Sequence, residues 1–358
     1  MPPAVLSRRL RWLAPAVAAG VVAAGVVVPR LADASASVDD LEPRTAAELL
    51  AAVSTAEVDG LSGTVVATSR LGLPELPQAD SGSAVSLTDL LAGSTTARVW
   101  KAGDHRTRIA VDAPFAEYDV VRDGREVWTY DSASKDVTHL TLPEGEDEPA
   151  AEPSRTATPQ EAAEAVLQML TPSTEATVGR AAEVAGRPAY ELVLDPRDAG
   201  TLVDTVRIAV DGETDVPLRV QVFGVEQAEP AVEVGFTDVR FAAPDASVFA
   251  FVPPAGSEVT ERTLPQHRGD DADRSAAPEH QTRQGSAPEV LGEGWTSVVR
   301  LRGVTLPEQA AGLVGQLSRP VEGGRVVESA LLSVLLTDDG RVLAGAVPAQ
   351  RLVELAGR

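Results

Sequence analysis

Apolar residues recur with a period of two along most of this chain. Val99, Ile109 with Val111, Trp128 with Tyr130, and Leu140 with Leu142 each alternate with polar or small neighbours. The same rhythm returns at Tyr190, Leu192 and Leu194, at Val206, Ile208 and Val210, at Val216, Leu218, Val220 and Val222, and at Val232, Val234 and Phe236. Such alternation predicts β-strands with one apolar face, and the Asp123-Gly124 and Asp211-Gly212 pairs suit hairpin turns whose residues need positive φ. By these signals the chain holds about nine to eleven antiparallel strands.

Three segments break the rhythm and begin with one device. Thr45 to Glu48 forms a capping box, in which hydroxyl and carboxylate satisfy amides that a helix start leaves unpaired, and Ala46, Leu49, Leu50 and Val53 then share a stripe. Thr158-Pro159-Gln160-Glu161 repeats it ahead of Ala162, Ala165, Val166, Met169 and Leu170, with Pro172 closing the helix. A third box, Thr305 to Glu308, precedes Ala310, Leu313, Val314 and Leu317. Two amphipathic helices are thus available to cover one face of the long sheet.

Segments 71–88 and 143–158 are rich in proline, serine and acidic residues and read as long loops. Residues 261–288 are polar and acidic and predict a linker. Beyond it, 290–358 predicts a small αβ unit: a strand around Trp295 to Val304, the third helix, a hairpin from Val326 to Val347 turning at Asp338-Asp339-Gly340, and a last helix after Pro348.

Composition narrows the function classes. Apolar residues make up 44% of the chain and aromatics only 4%, so the apolar content is mostly small or β-branched, as strands prefer. A net charge of −22 argues against nucleic acid as a partner. Residues 1–36 resemble an export signal: Arg8, Arg9 and Arg11, an apolar run from Trp12 to Val28, and the small-residue sites Ala32-Asp33-Ala34 and Ala34-Ser35-Ala36. The run is close to the minimum for spanning a bilayer, so both a cleaved signal and a membrane anchor through residues 12–28 remain open. Either places the body outside the cytoplasm, in the cell envelope or secreted. With no cysteine, lipidation at a thiol and disulfides are excluded, and core burial must supply stability.

A helix, a run of strands, a helix after a long loop, more strands and the terminal Phe249-Ala250-Phe251-Val252-Pro253-Pro254-Ala255-Gly256 resemble the lipoprotein-carrier superfamily, which includes LolA-like carriers, RseB-like regulators and sporulation-associated relatives of Gram-positive bacteria. Val184 to Leu192, entering a strand pair, is similar to that family's central hairpin, and the resemblance covers 41–257. It implies an α+β fold: a bent antiparallel sheet forming a half-open β-barrel, with a helical lid over an apolar cavity that accepts the acyl chain of a lipid or lipoprotein. The acidic linker and the C-terminal αβ unit depart from the simple carrier and are closer to the RseB-like arrangement. That arrangement implies a second partner, an envelope or membrane protein such as an anti-sigma factor.

The cavity candidates are Trp100, Ile109, Val111, Tyr118, Trp128, Tyr130, Leu192 and Val220. The aromatic members combine apolar area with a polar tip suited to a cavity mouth, although ordinary core packing explains such rings equally well. No catalytic constellation accompanies them, and a binder without catalysis or cofactor is expected. His105, His139, His267 and His280 have no zinc-type spacing, and Gly60-Leu61-Ser62-Gly63 lacks the spacing of a nucleophile elbow. Asp211 to Asp215 fails the register of a calcium loop, so a hairpin turn is the expectation there. Arg268-Gly269-Asp270 and the acidic run Glu144 to Glu148 read as solvated loop.

Overall fold

The structure is a computed structural model that describes residues 41–73, 92–113, 116–142, 158, 173–263, 288–303 and 308–357. The export segment, the helix expected after Thr158, the Thr305 capping box, the acidic run at 144–148 and linker residues 264–287 lie outside the described residues. Among the described residues no helix is long and apolar enough to cross a membrane.

The first described element is helix α1 (Ala46–Thr55), started by the expected capping box: Glu48 N–H donates to Thr45 Oγ1 at 3.3 Å and Thr45 N–H to Glu48 Oε2 at 2.7 Å. Strands β1 (Gly60–Arg70), β2 (Ala92–Ala102), β3 (Arg106–Ala113), β4 (Ala116–Asp123), β5 (Glu126–Asp131) and β6 (Asp136–Thr141) follow as a meander. Next come β7 (Thr174–Val178), β8 (Ala182–Val184), β9 (Arg187–Pro196), β10 (Val203–Asp211), β11 (Pro217–Gly224), β12 (Val232–Arg240) and β13 (Glu258–Thr263). These thirteen build one open sheet in the order β13-β6-β5-β4-β3-β2-β1-β12-β11-β10-β9-β7, with β8 also on β9. Every pairing is antiparallel except β13 with β6. The exception follows from the path: after β12, at mid-sheet, the chain crosses one face of β3 and β4 through a short 3-10 turn, Ala246–Phe249. It then reaches the β6 edge running the same way as β6. Glu261 to Thr263, linker-like in composition, belong to this strand.

Register shifts interrupt the ladder at Thr64/Val65 against β12 and at Val203/Thr205 and Ala209/Val210 against β11, and such bulges bend a sheet and increase its twist. Beside the first, a side chain at Gly63 would collide with the Asp238 carbonyl, so glycine permits the close approach of β1 and β12. The β8–β9 hairpin turns on Ala185 and Gly186, at φ 52° and 74°. At the Asp211 turn the positive φ falls on Asp215, at 59°, and not on Gly212 as the hairpin pattern suggested. Gly212 serves packing instead, since a Cβ there would meet Leu41.

A second sheet contains β14 (Glu289–Leu291), β15 (Val298–Arg302), β16 (Arg319–Val321), β17 (Gly324–Glu328), β18 (Ser333–Thr337) and β19 (Arg341–Gly345), in the order β14-β15-β19-β18-β17-β16. Helix α2 (Glu308–Leu317) joins β15 to β16, and α3 (Ala349–Ala356) packs on β18 and β19. The expected hairpin is a three-stranded meander, turning between β18 and β19 at Asp338 to Gly340. There the hydrogen bonds from Arg341 and Thr337 hold the Asp339 carboxyl down at about 2.

The second sheet has a small core of its own, built around Val298, Val326, Leu335, Leu343 and Leu352. Trp295, expected in a strand, sits instead in a 3-10 turn (Gly294–Thr296) before β15 and is 3% exposed within the core of the large sheet. Its Nε1–H donates to Thr174 Oγ1 at 2.8 Å. Leu331 joins the same core, while Leu202 N–H donates to the Ala346 carbonyl at 2.8 Å and Ala330 N–H to the Leu71 carbonyl at 2.9 Å.

Candidate ligand-binding interior

Strand register assigns every side chain to one of two faces, because cross-strand partners project to the same side and neighbours in sequence to opposite sides. One unbroken rung runs Val178, Leu192, Ile208, Val220, Val234 and Ala67 across β7, β9, β10, β11, β12 and β1. From Val65, a position along on the same face, a second runs through Ala97, Val111 and Tyr118 across β2, β3 and β4. This is the core face, and Leu49 and Val53 of α1 pack into its cluster together with Leu61, Phe236 and Leu194. Ile109, Val111, Tyr118, Leu192 and Val220 all belong to it.

Trp100, Trp128 and Tyr130 do not. Their rung runs Ser62, Trp100, Arg108, Val121, Trp128, His139 and Glu261 from β1 to β13, on the far face. The segment carrying Phe249 and Phe251 covers this side: Phe251 lies 5.4 Å from the Trp128 ring and 6.3 Å from Tyr130, measured between centroids. Arg108 pins the segment, pairing with buried Asp119 at 2.7 and 3.2 Å and donating to the Val248 carbonyl at 3.2 Å while lying over Trp100. His139 stacks on Trp128 with centroids 3.8 Å apart and planes 9° from parallel. The eight candidates thus divide five to three between opposite sides of the sheet.

The core-face candidates are enclosed. Leu192 is 0%, Val111 1%, Val220 3% and Ile109 9% exposed, and Tyr118 is half-buried. A side chain with no accessible surface touches neighbours on every side, so a ligand reaches it only if a neighbour moves away.

Where α1 begins, the core face is rimmed by charge. Asp211, 0% exposed, receives Arg187 through Nε at 2.5 Å and Nη2 at 3.0 Å, and Thr214 through N–H and Oγ1 at 2.9 Å each. Burial pushes the Asp211 carboxyl up, but the Arg187 and Thr214 bonds outweigh it and hold the group below the ordinary carboxylate range. Arg44 pairs with Asp215 and lies over the Tyr190 ring, whose hydroxyl donates to the Glu42 carbonyl at 2.8 Å. A cleft of about 570 Å³ opens here between Leu41, Pro43, Arg44, Tyr190 and Gly212. The expected turn at 211–215 is therefore also the buried ion-paired junction that ties β9 to β10. Its legible signal was Asp-x-x-Thr, an aspartate able to accept from the backbone that follows it. Nothing in the sequence marked Trp295 as a wall of this core.

No protein-family model matches the chain, and no curated protein matches it. Several solved structures are similar to it. The complex of MucA and MucB from Pseudomonas aeruginosa is 16% identical, with 87% of this chain and 96% of that chain covered, at a TM-score of 0.43. A crystal structure of MucB in complex with MucA(peri) is 19% identical over 87% of this chain and 97% of that one, at 0.42. A LolA-superfamily protein from Nitrosomonas europaea is 13% identical over 58% of this chain and 99% of its own, at 0.24. The solved structures similar to this chain thus include MucB and LolA-superfamily proteins, at low identity.

Proposed function

We propose that this protein is an extracytoplasmic, non-catalytic binder of the acyl chain of a lipid or lipoprotein, and that its site is the core face of the large sheet. The supporting observation is the pair of apolar rungs that together cross nine strands, closed by α1 at one place and by Trp295 at another. In this reading the sheet is the half-open barrel and α1 belongs to its lid. Burying a sixteen-carbon chain at about 0.8 kcal/mol per methylene gives a gross gain on the order of 10 kcal/mol, enough without a charged anchor. Since Leu192 and Val220 are already enclosed, uptake requires the lid to lift, and the ligand then replaces the lid's contacts. Docking of Trp295 into this core favours residues 288–357 as part of the container over a free partner-binding unit.

The test is uptake of a fluorescent fatty acid by two variants. Tyr118→Asp places a charge on the core face at a half-buried position, and Trp128→Ala removes the far-face ring. We expect Tyr118→Asp to weaken binding at least about tenfold and Trp128→Ala to leave it within about twofold, a charge in apolar surroundings being the costlier change. Equal affinities, or a larger loss for Trp128→Ala, would move the site off the core face. Absence of uptake by the unaltered protein would remove the acyl reading altogether.

A further inference from the structure

His139 stands between two carboxylates on the far face. Its Nε2 lies 2.5 Å from Glu126 Oε2 of β5, and its Nδ1 lies 2.7 Å from Glu261 Oε2 of β13. The ring itself is held flat against Trp128, so the two nitrogens have fixed directions. A carboxylate offers only acceptors, whereas a neutral imidazole has one N–H and one bare lone pair. Both contacts are hydrogen bonds together only when both ring nitrogens carry protons.

From this geometry we infer that His139 is a proton-operated latch that holds edge strand β13 on the sheet. The strand needs one: among the described residues it ends the sheet order and pairs with β6 alone, and its Val259 is 42% exposed. The charged groups facing the ring come from several strands. Glu126 and Asp123, cross-strand partners, come from β5 and β4, and Glu261 from β13. Asp119, also on this face, is taken by Arg108, while Arg262 pairs across from Leu140 on the opposite face. The crossing segment contributes Phe251, which has no charge. Loss of the proton therefore breaks one of the two bonds and sets a lone pair against a carboxylate. The latch is closed while the ring is protonated and the carboxylates are ionised, and it opens as pH rises. Opening bares the hydrogen-bonding edge of β6, creating an unpaired strand that another chain could extend. This inference stands apart from the acyl reading, since the two sites lie on opposite faces.

Amide hydrogen exchange of the whole chain, corrected for intrinsic rate, tests it at about pH 5.5 and about pH 8.5, on either side of the range in which imidazoles ordinarily titrate. We expect protection over 258–263 to fall about fivefold at the higher pH while interior strand β12 is unchanged, a modest effect because both carboxylates are partly exposed. His139→Gln, which has a donor and an acceptor at every pH, should remove the difference without unfolding β12. Equal protection of 258–263 at both pH values, or a pH difference that persists in His139→Gln, would overturn the latch.

Discussion

The two faces of the large sheet hold apolar side chains in different ways. On the core face, aliphatic rungs continue from β7 to β4, and α1, Trp295 and Leu331 close over them. On the far face an aromatic group, Trp100, Trp128 and Tyr130, joined by Val121 and Val137, lies on β2 through β6, where the segment through Phe249 and Phe251 reaches it and the Arg108–Asp119 pair fastens that segment. The same alternation thus produces a deep core on one side and a local, strapped patch on the other. An apolar strand position shows that some face is covered; register and the path of the cover decide which.

Substitutions sharpen the contrast. The largest loss is expected at the rim of the core, from Asp211→Ala: it leaves Arg187, which lies over Phe241, with only the exposed Glu213 as a partner, strips the Thr214 bonds as well, and should cost about 3–5 kcal/mol in denaturant unfolding. The Asp211 carboxyl is held below its unfolded value, so its contribution is present above the ordinary carboxylate range and disappears as pH falls through the folded value. The Asp211→Ala protein should accordingly show a shallower loss of stability below about pH 4 than the unaltered one. A parallel acid limb in both would contradict the assigned pairing. Leu192→Ala, fully enclosed on the core face, should cost about 2–5 kcal/mol, and the far-face Trp128→Ala less despite its larger ring, because that ring is only half-buried. If Trp128→Ala proved the costlier, the far face would be the main core. Thr45→Ala removes the α1 cap and should lower stability by about 1 kcal/mol without altering either face.

Much of the fold was legible because alternation, turns and caps are local. The α1 capping box, the strands through Ile109, Leu192, Ile208 and Val220, and the Asp338 to Gly340 turn are where the pattern put them. The division of the candidates was not. In β5, Val127 and Thr129 alternate with Trp128 and Tyr130, and both phases are apolar enough to face a core. The bulkier phase is the natural choice, yet a one-residue change of parity sends every side chain to the other side. What reverses the choice is the Phe249–Phe251 strap, more than a hundred residues away in sequence. Strand β13 was equally hidden, since Glu-Val-Thr-Glu-Arg-Thr carries an edge strand's polarity and its last three residues read as linker. Trp295 is a tertiary matter too: its burial depends on where the second sheet docks.

The central claim, that hydrocarbon belongs on the core face, is tested most directly by photo-crosslinking with a diazirine-bearing fatty acid followed by peptide mapping. The account predicts adducts at Ile109, Val111, Tyr118, Leu192 or Val220 and on the facing side of α1. Adducts concentrated at Trp100, Trp128 and Tyr130, with none on those five residues, would contradict it.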